Sequence, residues 1–150
     1  MAVYEKSTAM PVSAQELYEW HMAPGAFQKL IPKGQKIEVV EQPEELGEGE
    51  ILVMKVYLGP VGVTWEALHR DFVPGRQFVD EQLRGPFRKW VHTHRFEPTD
   101  GGSLLVDHVE YEPPLGRLGQ VAGGWVVRRM LKEMFEERHR ITLEDLAVGS

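Results

Sequence analysis

Arg76-Gln-Phe-Val-Asp-Glu-Gln-Leu-Arg-Gly-Pro-Phe-Arg-Lys-Trp-Val-His-Thr-His-Arg-Phe-Glu-Pro98 is the stretch whose reading decides the fold. It reads as two strands, Gln77 to Leu83 and Arg88 to Phe96, around a turn at Gly85-Pro86. Trp90, His92, His94 and Phe96 fall at every second position, so a strand points all four to one face. Two histidines between two large aromatics predict the wall of a semi-polar cavity rather than a plain apolar core. Asp80 and Gln82 alternate in the same way on the strand before. A carboxylate there needs a partner, because an unpaired buried charge is expensive.

Outward from this stretch the strand pattern continues in both directions. Upstream lie Ile37 to Glu41, Ile51 to Leu58 and Val61 to Phe72, separated by turns at Gly47-Glu48-Gly49, Gly59-Pro60 and Pro74-Gly75. Downstream, Thr99-Asp100-Gly101-Gly102 signals a hairpin into Ser103 to Glu112. Loops this short imply an antiparallel meander, since parallel pairs need crossovers of a dozen residues or more. Ahead of these six strands, Val3 to Met10 alternates as a separate first strand and stops at Pro11. Ser13-Ala14-Gln15-Glu16 reads as a capping box, with Leu17, Tyr18, Trp20 and His21 following at helical spacing. Pro24-Gly25 breaks that helix, and Ala26 to Leu30 forms a second.

Pro113-Pro114-Leu115-Gly116 ends the strands. From about Leu118 to Leu146 an apolar stripe of Val127, Met130, Leu131, Met134, Phe135, Arg138 and Ile141 opposes a charged side, and Gly123-Gly124 weakens its first turns. A helix of that length must lay its stripe across the sheet.

Composition limits the function classes. A chain of 150 residues is about one domain, and 42% hydrophobic with 27% charged residues is ordinary for a globular protein. No repeat or linker is visible, so residues 1–150 read as one domain. The 17 Lys and Arg against 23 Asp and Glu leave a net charge of −6, which argues against general nucleic-acid binding. With no cysteine, disulfides, thiolate metal sites and cysteine nucleophiles are excluded. No signal peptide is visible, and no apolar run approaches the roughly 18 residues of a membrane helix. The expected setting is the cytoplasm, without stable membrane insertion.

The element order, and the residues that carry it, resemble a known superfamily. Trp20-His21, Pro24-Gly25-Ala26 and Leu30-Ile31-Pro32 belong to that likeness, as do Phe78-x-Asp80-x-Gln82-x-x-Gly85-Pro86-Phe87 and Trp90-x-His92-x-His94-x-Phe96. So do Asp107-x-Val109-x-Tyr111-x-x-Pro114-x-Gly116 and Met134-Phe135-x-x-Arg138-His139. Together they resemble the bacterial SRPBCC (polyketide cyclase/dehydrase and lipid transport) superfamily, closest to a branch found alone and fused to epimerase-like domains. The resemblance covers essentially the whole chain. It implies an α+β helix-grip (START-like) fold, in which a curved antiparallel sheet wraps a long C-terminal helix and leaves a cavity between them. Members of the superfamily include ligand carriers, hormone receptors and cyclases.

The expected function is non-covalent binding of a small hydrophobic or amphipathic molecule in that cavity. Trp65, Asp80, Gln82, Phe87, Trp90, His92, His94, Phe96, Asp107, Tyr111, Met134 and Arg138 are the expected ligand-binding residues. Asp80, His92, His94 and Arg138 would orient the polar end, since a guanidinium clasps carboxylate or phosphate through two parallel bonds. Trp125 and Met130 join Met134 and Phe135 in an aromatic and methionine set that either lines the pocket or fills the core. Two alternatives stand beside this reading. One is a cyclase or dehydratase with a histidine–carboxylate base drawn from His92, His94 and Asp80, and Tyr111 as proton donor. The other is an interaction module whose cavity is filled. His92 and His94 with Asp80 or Asp107 also have the residue types of a two-histidine, one-carboxylate metal set, but a lone His-x-His is a weak signal. No metal or cofactor is therefore assigned.

Overall fold

The computed structural model describes residues 1–58, 60–114 and 116–149, with side chains outside residues 58, 116–123 and 149. Gly59 and Leu115, expected in turns, lie outside the described residues. In chain order the elements are β1 (Ala2–Met10), α1 (Ala14–Met22), α2 (Ala26–Leu30), β2 (Ile37–Glu41), β3 (Ile51–Leu58) and β4 (Val61–Val73). β5 (Gln77–Arg84), β6 (Lys89–Thr99), β7 (Gly102–Glu112) and α3 (Gly116–Gly149) complete them. The seven strands form one antiparallel sheet in the order β1-β7-β6-β5-β4-β3-β2. β1, set apart in sequence, is thus an edge strand of the same sheet. It pairs with β7 from Ala2 opposite Tyr111 to Met10 opposite Ser103. At that end the two backbones crowd: a Cβ on Gly102 would lie 2.3 Å from the Met10 carbonyl oxygen.

Local signals place the short helices. Ser13 Oγ accepts from the Glu16 amide at 3.1 Å and caps α1. The reciprocal bond of a full capping box is not made among the described residues. Gly25 takes a left-handed conformation (φ 83°) that lets the chain reverse into α2. α3 runs as a helix through Gly123-Gly124.

The turn in the deciding stretch differs from the tight hairpin expected of Gly85-Pro86. β5 and β6 stay paired only from Gln77–Arg95 to Glu81–Val91. Beyond this β5 keeps to β4, with Gln82 opposite Ala67 and Arg84 opposite Glu66. The gap is closed by one side chain: Gln82 Nε2 donates to the Phe87 carbonyl at 2.8 Å, and Gln82 Oε1 accepts from the Phe87 amide at 3.2 Å. Gly85 has no room for a side chain there, since a Cβ would meet Gln82 Oε1 at 2.3 Å.

Two apolar clusters hold the layers together. One joins Tyr4, Trp65, Trp90, Val109, Leu131 and Phe135; the other joins Met10, Leu17, Phe78, Phe96, Leu105 and Leu146. Tyr4 stacks on Phe135 at 5.6 Å, seating α3 over β1. Trp20 Nε1 donates to Asp145 at 2.7 Å and ties α1 to the end of α3. α3 packs on β1, β7 and α2. Among the described residues no helix is long and apolar enough to cross a membrane.

Phe135 is fully buried and shared by the helix and the sheet. Phe135→Ala is expected to cost about 3–5 kcal/mol. Urea unfolding should show this as a lower midpoint with an unchanged slope.

Candidate functional site

Because α3 covers the β1 side of the sheet, a cavity of about 950 Å³ remains between α3, α2 and strands β3 to β6. Leu52, Met54, Val56, Trp65, Ala67 and Phe87 make its apolar wall. Asp80, His69, His92, His94, His21 and Arg138 bring polar groups to it.

The polar wall is a closed network. His92 Nε2 donates to Asp107 at 2.7 Å, and its Nδ1 lies 3.2 Å from Asp80. His94 Nε2 donates to Asp80 at 2.6 Å, and its Nδ1 lies 3.3 Å from Asp107. The two imidazole centroids lie 3.7 Å apart with the rings tilted by 33°, so both aspartates bridge the same pair of rings. Strand register produces this square: Asp80 is opposite His92, and Asp107 opposite His94. His139, from α3, then donates Nε2 to Asp107 at 2.6 Å and meets Thr8 of β1 through Nδ1 at 2.7 Å.

Burial alone would raise both aspartates. The charge and hydrogen bonds of His92 and His94 hold the Asp80 carboxyl well below the usual range, and bonds from His139 and His92 do so for Asp107. Burial alone would strip the proton from His92. The Asp80 charge and the Asp107 bond outweigh it and lift His92 to about 9. His21, half-buried at the cavity wall and bonded through Nδ1 to the Leu17 carbonyl, is pushed down to about 4 by desolvation. His69 is likewise lowered by burial. Burial also lowers Arg138, against the fields of Asp107 and Asp80. His92 is thus held as a cation between the two carboxylates, while Arg138 feels their field and makes no ion pair with either among the described residues.

Of the residues expected from sequence, Trp65, Asp80, Phe87, Trp90, His92, His94, Met134 and Arg138 border the cavity. Gln82, Phe96, Asp107 and Tyr111 do not. Gln82 is spent on clasping Phe87, and Phe96 is fully buried in the second apolar cluster. Asp107 stands behind His92, and Tyr111 is packed edge-on to Phe87. Trp125 faces solvent, at 68% exposure. His139, Thr8 and His21 were not among the expected site residues. His139 lies four positions after Phe135 and His21 four after Leu17, so helical spacing from buried residues was the signal available.

Asp80, His92 and His94 present ligand atoms within 4.8 Å of one another, a spacing that could hold a divalent ion. Binding one would require His92 to give up the proton that both aspartates stabilise.

The polyketide cyclase/dehydrase and lipid transport family matches residues 10–136. The chain belongs to that family. Among solved structures, TTHA0849 from Thermus thermophilus is 17% identical with a TM-score of 0.75, covering 99% of each chain. A START superfamily protein from Mycobacterium smegmatis is 14% identical with a TM-score of 0.74, again over 99% of each chain. A nucleoside-diphosphate sugar epimerase from Corynebacterium glutamicum is 26% identical with a TM-score of 0.71, covering 96% of this chain and 29% of that one. A family fold fused to an epimerase therefore occurs. No curated protein matches the chain. The family's helix-grip architecture accounts for the seven-stranded sheet, the long helix and the space between them.

The proton held by His92 predicts a pH dependence of stability. Unfolded, this histidine loses its proton near 6.5; folded, it keeps it to about 9. Between those values the folded state binds more protons, so stability falls as pH rises, by at most about 1.4 kcal/mol per pH unit. The contribution is complete below 6.5 and gone above about 9. Urea midpoints across this interval should fall for the native chain and flatten for His92→Gln. Parallel curves would show that His92 carries no extra proton.

Proposed function

We propose that the protein binds a small hydrophobic or amphipathic molecule in the cavity between the sheet and α3, with its polar end at Asp80, His92, His94 and Arg138. The observation that carries this reading is the cavity, about 950 Å³, apolar on one wall and polar on the other. Ligand pockets commonly occupy about 300–1,000 Å³ with a few convergent polar groups. Membership of a family described by lipid transport and cyclase chemistry supports it. A space of this size speaks against an interaction module with a filled interior. Apolar burial would supply affinity, and the polar wall orientation.

General acid–base catalysis is a second reading, favoured by one feature. His94 and Asp80 both border the cavity while bonded to each other at 2.6 Å, a histidine–carboxylate pair within reach of a bound molecule.

Native mass spectrometry of freshly purified protein separates the two readings. Binding alone predicts an organic mass that stays unchanged on incubation. Catalysis predicts a bound mass that alters with time, for instance by loss of one water, and a His94→Gln protein that no longer alters it. Ala67 is buried and borders the cavity. Ala67→Phe should therefore weaken binding of the neutral probe N-phenyl-1-naphthylamine several-fold, measured by its fluorescence. Undiminished binding would place the probe elsewhere.

A further inference from the structure

We infer that the molecule held in the cavity carries an anionic end group, a carboxylate, sulfonate or phosphate, and that Arg138 is its receptor. This rests on the binding function proposed above and adds the chemical class of ligand.

The argument starts from an unmet need. Arg138 sits on the inner stripe of α3, one turn after Phe135, and borders the cavity. It is only partly covered, as a group surrounded by protein but facing an internal space must be. Its Nε is buried with no hydrogen-bond partner, and no ion pair among the described residues includes it. Its guanidinium lies 5.7 Å from the centre of the Phe135 ring and feels Asp107 and Asp80 only as longer-range fields. A guanidinium has five donors in a planar fork and cannot shed its proton to escape the cost. Leaving a buried charged donor unmet is destabilising, so such groups are normally paired.

The acids nearby are already engaged. Asp107 accepts from His92 and His139, and Asp80 from His94. On α3, Glu137 is held by Arg140 and Glu133 by Arg129. Histidines supply the close hydrogen bonds to both aspartates, so the Arg138 guanidinium is not used on them. With Lys33 and Lys36 farther along the wall, the guanidinium borders the cavity as a permanent cation. Beside it is a recess of about 10 Å³, bordered by Arg138, His92, Asp107 and Thr142. That is room for one water or one ligand oxygen. An acidic head group lying on the guanidinium would supply the missing acceptors, and its apolar body would run toward Trp65 and Met54.

Two fluorescent probes test this, because they share one skeleton and differ by a single charge. 1-Anilinonaphthalene-8-sulfonate is N-phenyl-1-naphthylamine with a sulfonate added. Both are titrated at pH 7 into the native protein and Arg138→Met, which keeps the length of the side chain and removes its charge and donors. The expected result is a loss of at least about tenfold in affinity for the sulfonate and less than about twofold for the neutral probe. Equal losses, or none, would overturn the inference and leave the binding function standing. Failure of the neutral probe to bind native protein would overturn both. A second measurement needs no variant: decanoate and decanol compete for the neutral probe on native protein. Decanoate is expected to displace it at least as well, although it is the less hydrophobic of the two. Clearly stronger displacement by decanol would overturn the inference.

Discussion

The structure depends on two aspartates on one face of a sheet, Asp107 buried and Asp80 largely covered at the cavity wall. Carboxylates in that position are tolerated only when charge and hydrogen bonds repay their desolvation. Here two histidines at alternate positions of β6 repay both at once, each reaching Asp80 on one side and Asp107 on the other. The square therefore joins three adjacent strands through side chains as well as backbone. His139 extends it into α3 and Thr8 into β1, so sheet and helix are held by one polar connection between two apolar clusters.

That arrangement also explains why a cavity survives. The helix is drawn onto the β1 and β7 side, where Tyr4, Val109 and Phe135 pack and Asp107 receives His139. The strands on the other side of the sheet are left with an apolar surface that α2 and α3 face across the cavity. Phe87 enters this space because β5 leaves β6 after Glu81 and Gln82 clasps the loop. One wall is then apolar, and the other carries the exposed flank of the polar square together with Arg138. Such a space suits a molecule with a greasy body and one polar end.

Most of the fold was legible in the chain. Alternation marked the strands, turn residues separated them, and the Leu131–Phe135 stripe marked the helix that had to cross them. The edge position of β1 was not legible, because pairing between strands about 100 residues apart leaves no local trace. The Gly85-Pro86 turn was misread for a related reason. Glycine and proline announce a reversal, but only the Gln82 amide decides how wide it is.

The site divides along the same line. By itself the sequence determined which residues share a face: period two places Trp90, His92, His94 and Phe96 together whatever else the chain does. It could not say how far along that face the cavity extends, so Phe96 and Tyr111 were counted with the lining although both are core. Only the tertiary structure decided that Asp107 serves His92 and His139 instead of the cavity, and that Arg138 is left without an acid. Those outcomes turn on distances of about 3 Å between residues far apart in sequence, set by strand register and by where α3 comes to rest.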